Sequence, residues 1–177
     1  MNPSQLAFKG LEITELLSRH GDTCAWRAYD RNNDRPVILK SVQGDSSPIS
    51  LMERLRHEYE IGHDFNHPHI IHYIGLLQHH HRMAIITEDF SGKPLVECIP
   101  EQGFPIGTFL DIALQIVKAL IEIHSQQVIH KDISPHNIVY NTQKRLAKII
   151  DFGMASKLSR WYVSPEQLVG KMQPRWQ

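Results

Sequence analysis

The stretch His130-Lys131-Asp132-Ile133-Ser134-Pro135-His136-Asn137 sets a carboxylate and an amide five residues apart in a loop. A second carboxylate follows in Asp151-Phe152-Gly153. Transfer of a phosphoryl group from ATP to a hydroxyl needs such a set. One carboxylate receives or orients the hydroxyl proton, and an amide and a further carboxylate hold Mg²⁺ on the phosphates. Either motif alone recurs by chance. Both in this order, joined by strand-like sequence, are a specific signal.

The two motifs together resemble the catalytic loop and metal-binding segment of protein kinases. The resemblance implies Asp132 as the base or hydroxyl-orienting group and Asn137 and Asp151 as Mg²⁺ ligands. Read without it, Asp132 fits a turn, Asn137 a cap, and Asp151 an Asx-turn before Gly153. Lys40 closes Val37-Ile38-Leu39 and matches the kinase Val-Ala-Ile-Lys strand, which implies binding to the α- and β-phosphates of ATP. Its implied partner is Glu58, ten residues before Pro68 of His67-Pro68-His69-Ile70-Ile71. As an ordinary exposed pair, Lys40 and Glu58 would contribute under ~1 kcal/mol. The run from Ile85 to Gly92 is similar to the hinge between kinase lobes. Thr87 would be the gatekeeper, and backbone groups of Glu88 and Phe90 would bind adenine. His130 is implied to be a packed neighbour of Phe152 and not a catalyst.

Those side chains need elements to hold them. Residues 11–17 and 24–29 read as strands about a turn with His20, Gly21 and Asp22, and residues 36–40 as a third. A Gly-Asp-Ser-Ser-Pro loop at 44–48 leads to a helix carrying Leu51, Leu55, Tyr59 and Phe65 at helical spacing. Strands are expected at 72–78 and 83–87, with His79-His80-His81 in the turn. Leu110, Leu114, Val117, Leu120, Ile121 and His124 outline a long amphipathic helix starting at Gly107 or Thr108. Short strands at 138–140 and 146–150 flank a four-residue turn, Asn141 to Lys144. Strands first and helices later point to an α+β fold with two lobes. The expected architecture is protein-kinase-like: an antiparallel N-lobe sheet with one helix, then a mostly helical C-lobe truncated after the activation segment. The domain would span 11–177, with 11–90 as N-lobe and 91–177 as partial C-lobe.

The chain has 177 residues and balances 19 Lys and Arg against 19 Asp and Glu. Zero net charge argues against a nucleic-acid or anionic-membrane surface. Two cysteines, Cys24 and Cys98, make no disulfide framework and fit a reducing compartment. No apolar run is long enough to span a bilayer, so a cytoplasmic location is expected. The histidines at 63, 67, 69, 72 and 79–81 lack a partner that completes a zinc spacing. Residues 131–139 and Ser164-Pro165-Glu166-Gln167 resemble the kinase-like domain at the front of large bacterial and fungal sensor kinases. The partners implied are a protein substrate and further domains of a larger signalling protein.

Four departures from the kinase pattern stand out. Ser18, His20 and Thr23 replace glycines of the phosphate loop, leaving Gly21. Ser134 stands where Ser/Thr kinases carry a Lys, and His136 where tyrosine kinases carry an Arg. Gly62, four after Glu58, replaces a large buried side chain and leaves room for a cavity. The segment between Gly153 and Ser164 is shorter than usual, and the chain stops at Gln177, before the helices expected to cover the helix at 110–123. These departures support an alternative, a catalytically impaired pseudokinase or truncated fragment that binds nucleotide or a partner.

Overall fold

The computed structural model describes residues 8, 10–42, 49–79 and 82–158. The loop at 44–48, His80 and His81, and the Ser164-Pro165-Glu166-Gln167 motif lie outside the described residues. Five strands form one antiparallel sheet: β1 (Leu11–His20), β2 (Thr23–Asp30), β3 (Arg35–Val42), β4 (Tyr73–His79) and β5 (Arg82–Glu88), in the order β1-β2-β3-β5-β4. β1, β2, β3 and β5 run a little past the limits expected from apolar residues, because ladder pairing continues through polar ends such as Asp30↔Arg35 and His20↔Thr23, while β4 is shifted by one residue from the expected 72–78.

Period-two alternation sorts β3. Val37, Leu39 and Ser41 are buried with Cys24, Trp26, Ala28 and Ile86 on the outer face of the sheet. Lys40 therefore projects to the other face, paired in register with Ile85 of the main core. Helix α1 (Ile49–Gly62) covers that inner face, burying Leu55, Glu58, Ile61 and Gly62. The i, i+3, i+6 spacing of Leu55, Glu58 and Ile61 puts the Glu58 carboxylate on the packed side of the helix.

After β5 the chain crosses to the second lobe through β6 (Lys93–Pro94), α2 (Leu95–Cys98) and α3 (Ile106–Ser125). Next come β7 (Val128–Ile129), β8 (Ile138–Asn141), β9 (Leu146–Ile149) and β10 (Ser156–Lys157). β6, β8 and β9 make a small sheet, and β7 pairs with β10. The short elements β6, α2, β7 and β10 have no clear periodicity in the sequence. Helix α3 begins directly after Pro105, whose φ of −52° suits the entry to a first turn.

The apolar stripe expected for α3 is not the one that packs. Ile112, Ile116, Ala119 and Ile123 are buried, whereas Leu110, Leu114, Val117 and Ile121 are at least half exposed. α3 is apolar on two faces, so periodicity alone could not say which one meets β9 and the core. Among the described residues, no helix is long and apolar enough to cross a membrane.

Candidate active site

Lys40 reaches across the inner face of the sheet to two carboxylates. Its Nζ lies 2.7 Å from Glu58 Oε2 and 2.9 Å from Asp151 Oδ2. The Glu58 side chain keeps only 4% of its surface exposed. Burial pushes the Glu58 carboxyl up, and the negative charge of Asp151 adds to this against the pull of Lys40. Burial works against the Lys40 ammonium too, but the two carboxylates outweigh it and hold its pKa above that of ordinary lysine. For Asp151 burial would raise the pKa, but the Lys40 charge and the Gly153 N–H lower it. The site thus holds Lys40 between two anions, and the charge of Arg54 also acts on Asp151.

Asp151 sits at a φ of 63°, a left-handed conformation that Asp tolerates better than most residues. Its Oδ1 accepts the Gly153 N–H at 3.0 Å, which closes an Asx-turn. Phe152 is fully buried behind it, with ring centroids 5.1 Å from Phe65, 4.9 Å from His130 and 6.2 Å from Tyr73. This anchored ring fixes which way Asp151 points.

The loop before β8 is built around His130, which is 1% exposed. Its Nε2 donates to Ile150 O at 3.1 Å, and its Nδ1 accepts the Asp132 N–H at 3.3 Å. Burial lowers the His130 pKa, so the ring stays neutral and structural. Asn137 Nδ2 donates to both Asp132 O (3.0 Å) and Asp132 Oδ2 (2.8 Å), leaving Asn137 Oδ1 for another partner. The Ile150 N–H donates to Asn137 O at 3.0 Å and holds this loop beside Asp151. Lys40, Glu58 and Asp151 form one cluster, Asp132 and Asn137 a second, and Ile150 ties the two.

Among the described residues, no three His, Cys, Asp or Glu side chains group closely enough to hold a metal alone. Asn137 and Asp151 offer oxygen donors only. That set suits a hard cation that completes its shell with phosphate and water oxygens.

Glu88 and Phe90 lie apart from these clusters, where the chain leaves β5. The Glu88 N–H donates to His72 O at 3.0 Å. Its carboxylate accepts Lys148 Nζ at 2.5 Å and the His72 N–H at 2.9 Å. Asn141 Nδ2 donates to Phe90 O (2.8 Å) and Ser91 O (3.1 Å), and Arg27 Nε to Asp89 Oδ2 (2.7 Å). The segment is therefore braced from β2 on one side and from β8 and β9 on the other.

Residues 20–174 match the family model of the protein kinase domain. The chain belongs to that family. It is 30% identical over 175 residues to serine/threonine-protein kinase PrkC of Bacillus subtilis, covering 90% of this chain and 27% of that protein. To calcium-dependent protein kinase 5 of Plasmodium berghei it is 31% identical over 159 residues, covering 82% of this chain and 28% of the relative. Cytokinesis protein sepH of Emericella nidulans is 28% identical over 172 residues, or 95% of this chain and 12% of that protein. The chain thus spans under a third of the length of these relatives.

In this kinase domain the β1–β2 hairpin is a tight two-residue turn, with pairing that continues to His20↔Thr23 and Gly21 at a φ of 57°. Side chains at Ser18, His20 and Thr23 thus line a closed ladder where a glycine-rich loop would leave backbone amides approachable. Gly62 leaves no cavity, contrary to expectation. A Cβ added there would lie 2.4 Å from Tyr73 Cε2, so the Tyr73 ring already occupies the space. The signal for Tyr73 was Gly62 itself, since a missing side chain in a close-packed core must be filled from elsewhere. Lys148 and Asn141 carry no such signal, because their partners lie 50 or more residues away in sequence.

Gly62→Ala should accordingly destabilise the domain. At an ordinary helical site the change would gain up to about 1 kcal/mol of helix propensity. Here the methyl group must displace a buried ring, and overpacking costs about 1–3 kcal/mol. Urea unfolding should show a net loss, and a more stable variant would refute the packing assignment.

Proposed function

We propose that this chain is an ATP-binding protein kinase domain that transfers the γ-phosphate of ATP to Ser or Thr hydroxyls of a protein substrate in signal transduction. The domain would comprise residues 11–177, with 11–90 and 91–177 as its two lobes, in a cytoplasmic protein that carries further domains. The observation that carries this reading is Lys40 held between Glu58 and Asp151 at 2.7 and 2.9 Å. An ammonium fixed in this way can pair with phosphate oxygens without searching for its position.

Lys40, placed by Glu58, would hold the α- and β-phosphates. The Glu88 carbonyl and the Phe90 N–H would orient adenine. Asn137 Oδ1 and the Asp151 carboxylate would hold Mg²⁺. Bound Mg²⁺ would neutralise charge on the transferring phosphate. Asp132 would orient the incoming hydroxyl and take its proton. The oxygen-only donor set favours Mg²⁺ over zinc.

Titration calorimetry with a non-hydrolysable ATP analogue and Mg²⁺ tests the reading. Asp151→Ala should weaken metal-dependent binding by at least about 10–100-fold, the range in which even outer-shell changes alter metal affinity. The tight β1–β2 hairpin favours a second reading, a nucleotide-binding module without transfer. Equal affinity with and without Mg²⁺, in wild type and variant alike, would select that module.

A further inference from the structure

We propose that Tyr73 is a positioning residue of the phosphate-binding site: its ring takes the place of a Gly62 side chain, and its hydroxyl holds Glu58 in the orientation that meets Lys40. The proposal rests on the phosphotransfer reading for its functional meaning, and on the geometry of α1 and β4 for its substance.

The two oxygens of Glu58 have separate partners on separate strands. Oε2 takes Lys40 of β3 at 2.7 Å, and Oε1 takes the Tyr73 hydroxyl of β4 at 3.2 Å. A carboxylate held at one oxygen can pivot about that contact; held at both, it cannot. Tyr73 is 4% exposed, and its ring also meets Phe152 edge-on at 6.2 Å and Tyr59 at 6.4 Å. It therefore touches α1 at Glu58 and the Phe152 ring behind Asp151 at once. Burial, reinforced by the Glu58 and Asp151 charges, pushes the hydroxyl well above the ordinary phenol range, so it remains a donor.

Gly62 makes this arrangement possible. It lies one turn beyond Glu58 on the same buried side of α1, where a Cβ would overlap the Tyr73 ring at 2.4–2.8 Å. Glycine inside a helix is less favourable than alanine. What this glycine allows is an aromatic ring close enough for its hydroxyl to reach the carboxylate. Without that hydroxyl, Glu58 Oε1 would be a buried acceptor lacking a donor, which favours rotation of α1 toward water and away from Lys40.

The test uses Tyr73→Phe, which removes the hydroxyl alone, and Gly62→Ala, which displaces the ring but keeps the hydroxyl. Two measurements are made on the full chain: amide hydrogen exchange along α1, and affinity for an ATP analogue with Mg²⁺. Tyr73→Phe should remain folded, with its thermal midpoint lowered only by the loss of this one buried hydrogen bond. Its α1 amides around Glu58 should exchange roughly tenfold faster, and its analogue affinity should fall about tenfold. In turnover that loss should appear as a raised KM for ATP with little change in kcat. Gly62→Ala should weaken analogue binding in the same way.

Wild-type exchange and affinity in Tyr73→Phe would overturn the proposal, even if Gly62→Ala lost affinity through packing. If the wild-type chain binds no nucleotide, the phosphotransfer reading fails by itself. The α1 exchange comparison then still decides the clamp, with faster exchange supporting it and unchanged exchange refuting it.

Discussion

Asp132→Asn should lower the rate of phosphoryl transfer about 10²–10⁴-fold, the usual contribution of a positioned general base, while ATP-analogue affinity stays at the wild-type level. Asp132 is exposed, and its Oδ2 accepts the Asn137 Nδ2 contact at 2.8 Å. An asparagine there is isosteric and can offer its own Oδ to the same donor. The loop, still held by His130 and Ile150, should therefore keep its shape. What is lost is a group able to accept the hydroxyl proton. Radiolabel transfer from ATP, read beside calorimetry on the same preparation, separates the effects. A transfer rate equal to wild type would remove Asp132 from the reaction. A matching collapse of nucleotide affinity would show instead that it shapes the site.

Lys40→Met should weaken both nucleotide binding and the fold. Charge-assisted hydrogen bonds are worth about 1.5–3 kcal/mol, so losing the proposed phosphate contact should cost roughly 10- to 100-fold in ATP-analogue affinity. The same change leaves Glu58 buried without its cation and Asp151 with Arg54 alone. Breaking a buried ion pair on one side costs about 3–5 kcal/mol. The low end applies here, because the Lys40 side chain retains 24% exposure.

The cost should depend on pH with a definite sign. In the wild type Lys40 holds Asp151 below the ordinary carboxylate range and opposes the upward push of burial on Glu58. Without the cation both folded-state values rise. An acid whose folded value is raised destabilises the native state as pH climbs through that value, and the penalty vanishes on acidification. The gap between wild type and Lys40→Met should therefore be widest at neutral pH and narrow toward the acid side. Urea unfolding at several pH values measures it. A gap that widens on acidification would contradict the shared-cation geometry.

Much of this was legible in the sequence, and the reasons are local. Alternation in Val37-Ile38-Leu39-Lys40 places Lys40 opposite the buried Val37 and Leu39, whatever lies beyond the strand. The spacing of Leu55, Glu58 and Ile61 likewise puts Glu58 on the packed side of α1. The catalytic-loop and Asp-Phe-Gly stretches are short, and their hydrogen bonds largely close within or beside themselves: Asn137 to Asp132, Gly153 to Asp151, Asp132 to His130.

What only the tertiary structure decided involves distant partners or a choice between equivalent faces. α3 is apolar on two sides, and the sequence holds no record of which one β9 covers. The two-residue strands have too few positions to show a period and form only because a partner strand lies alongside. Gly62 reads as a gap until β4 brings the Tyr73 ring against it, and nothing local to Glu88 announces Lys148 of β9, 60 residues away. Periodicity carries information about which side of an element is buried. What meets that side depends on contacts across the chain, and those exist only once the sheet, α1 and the second lobe have closed on one core.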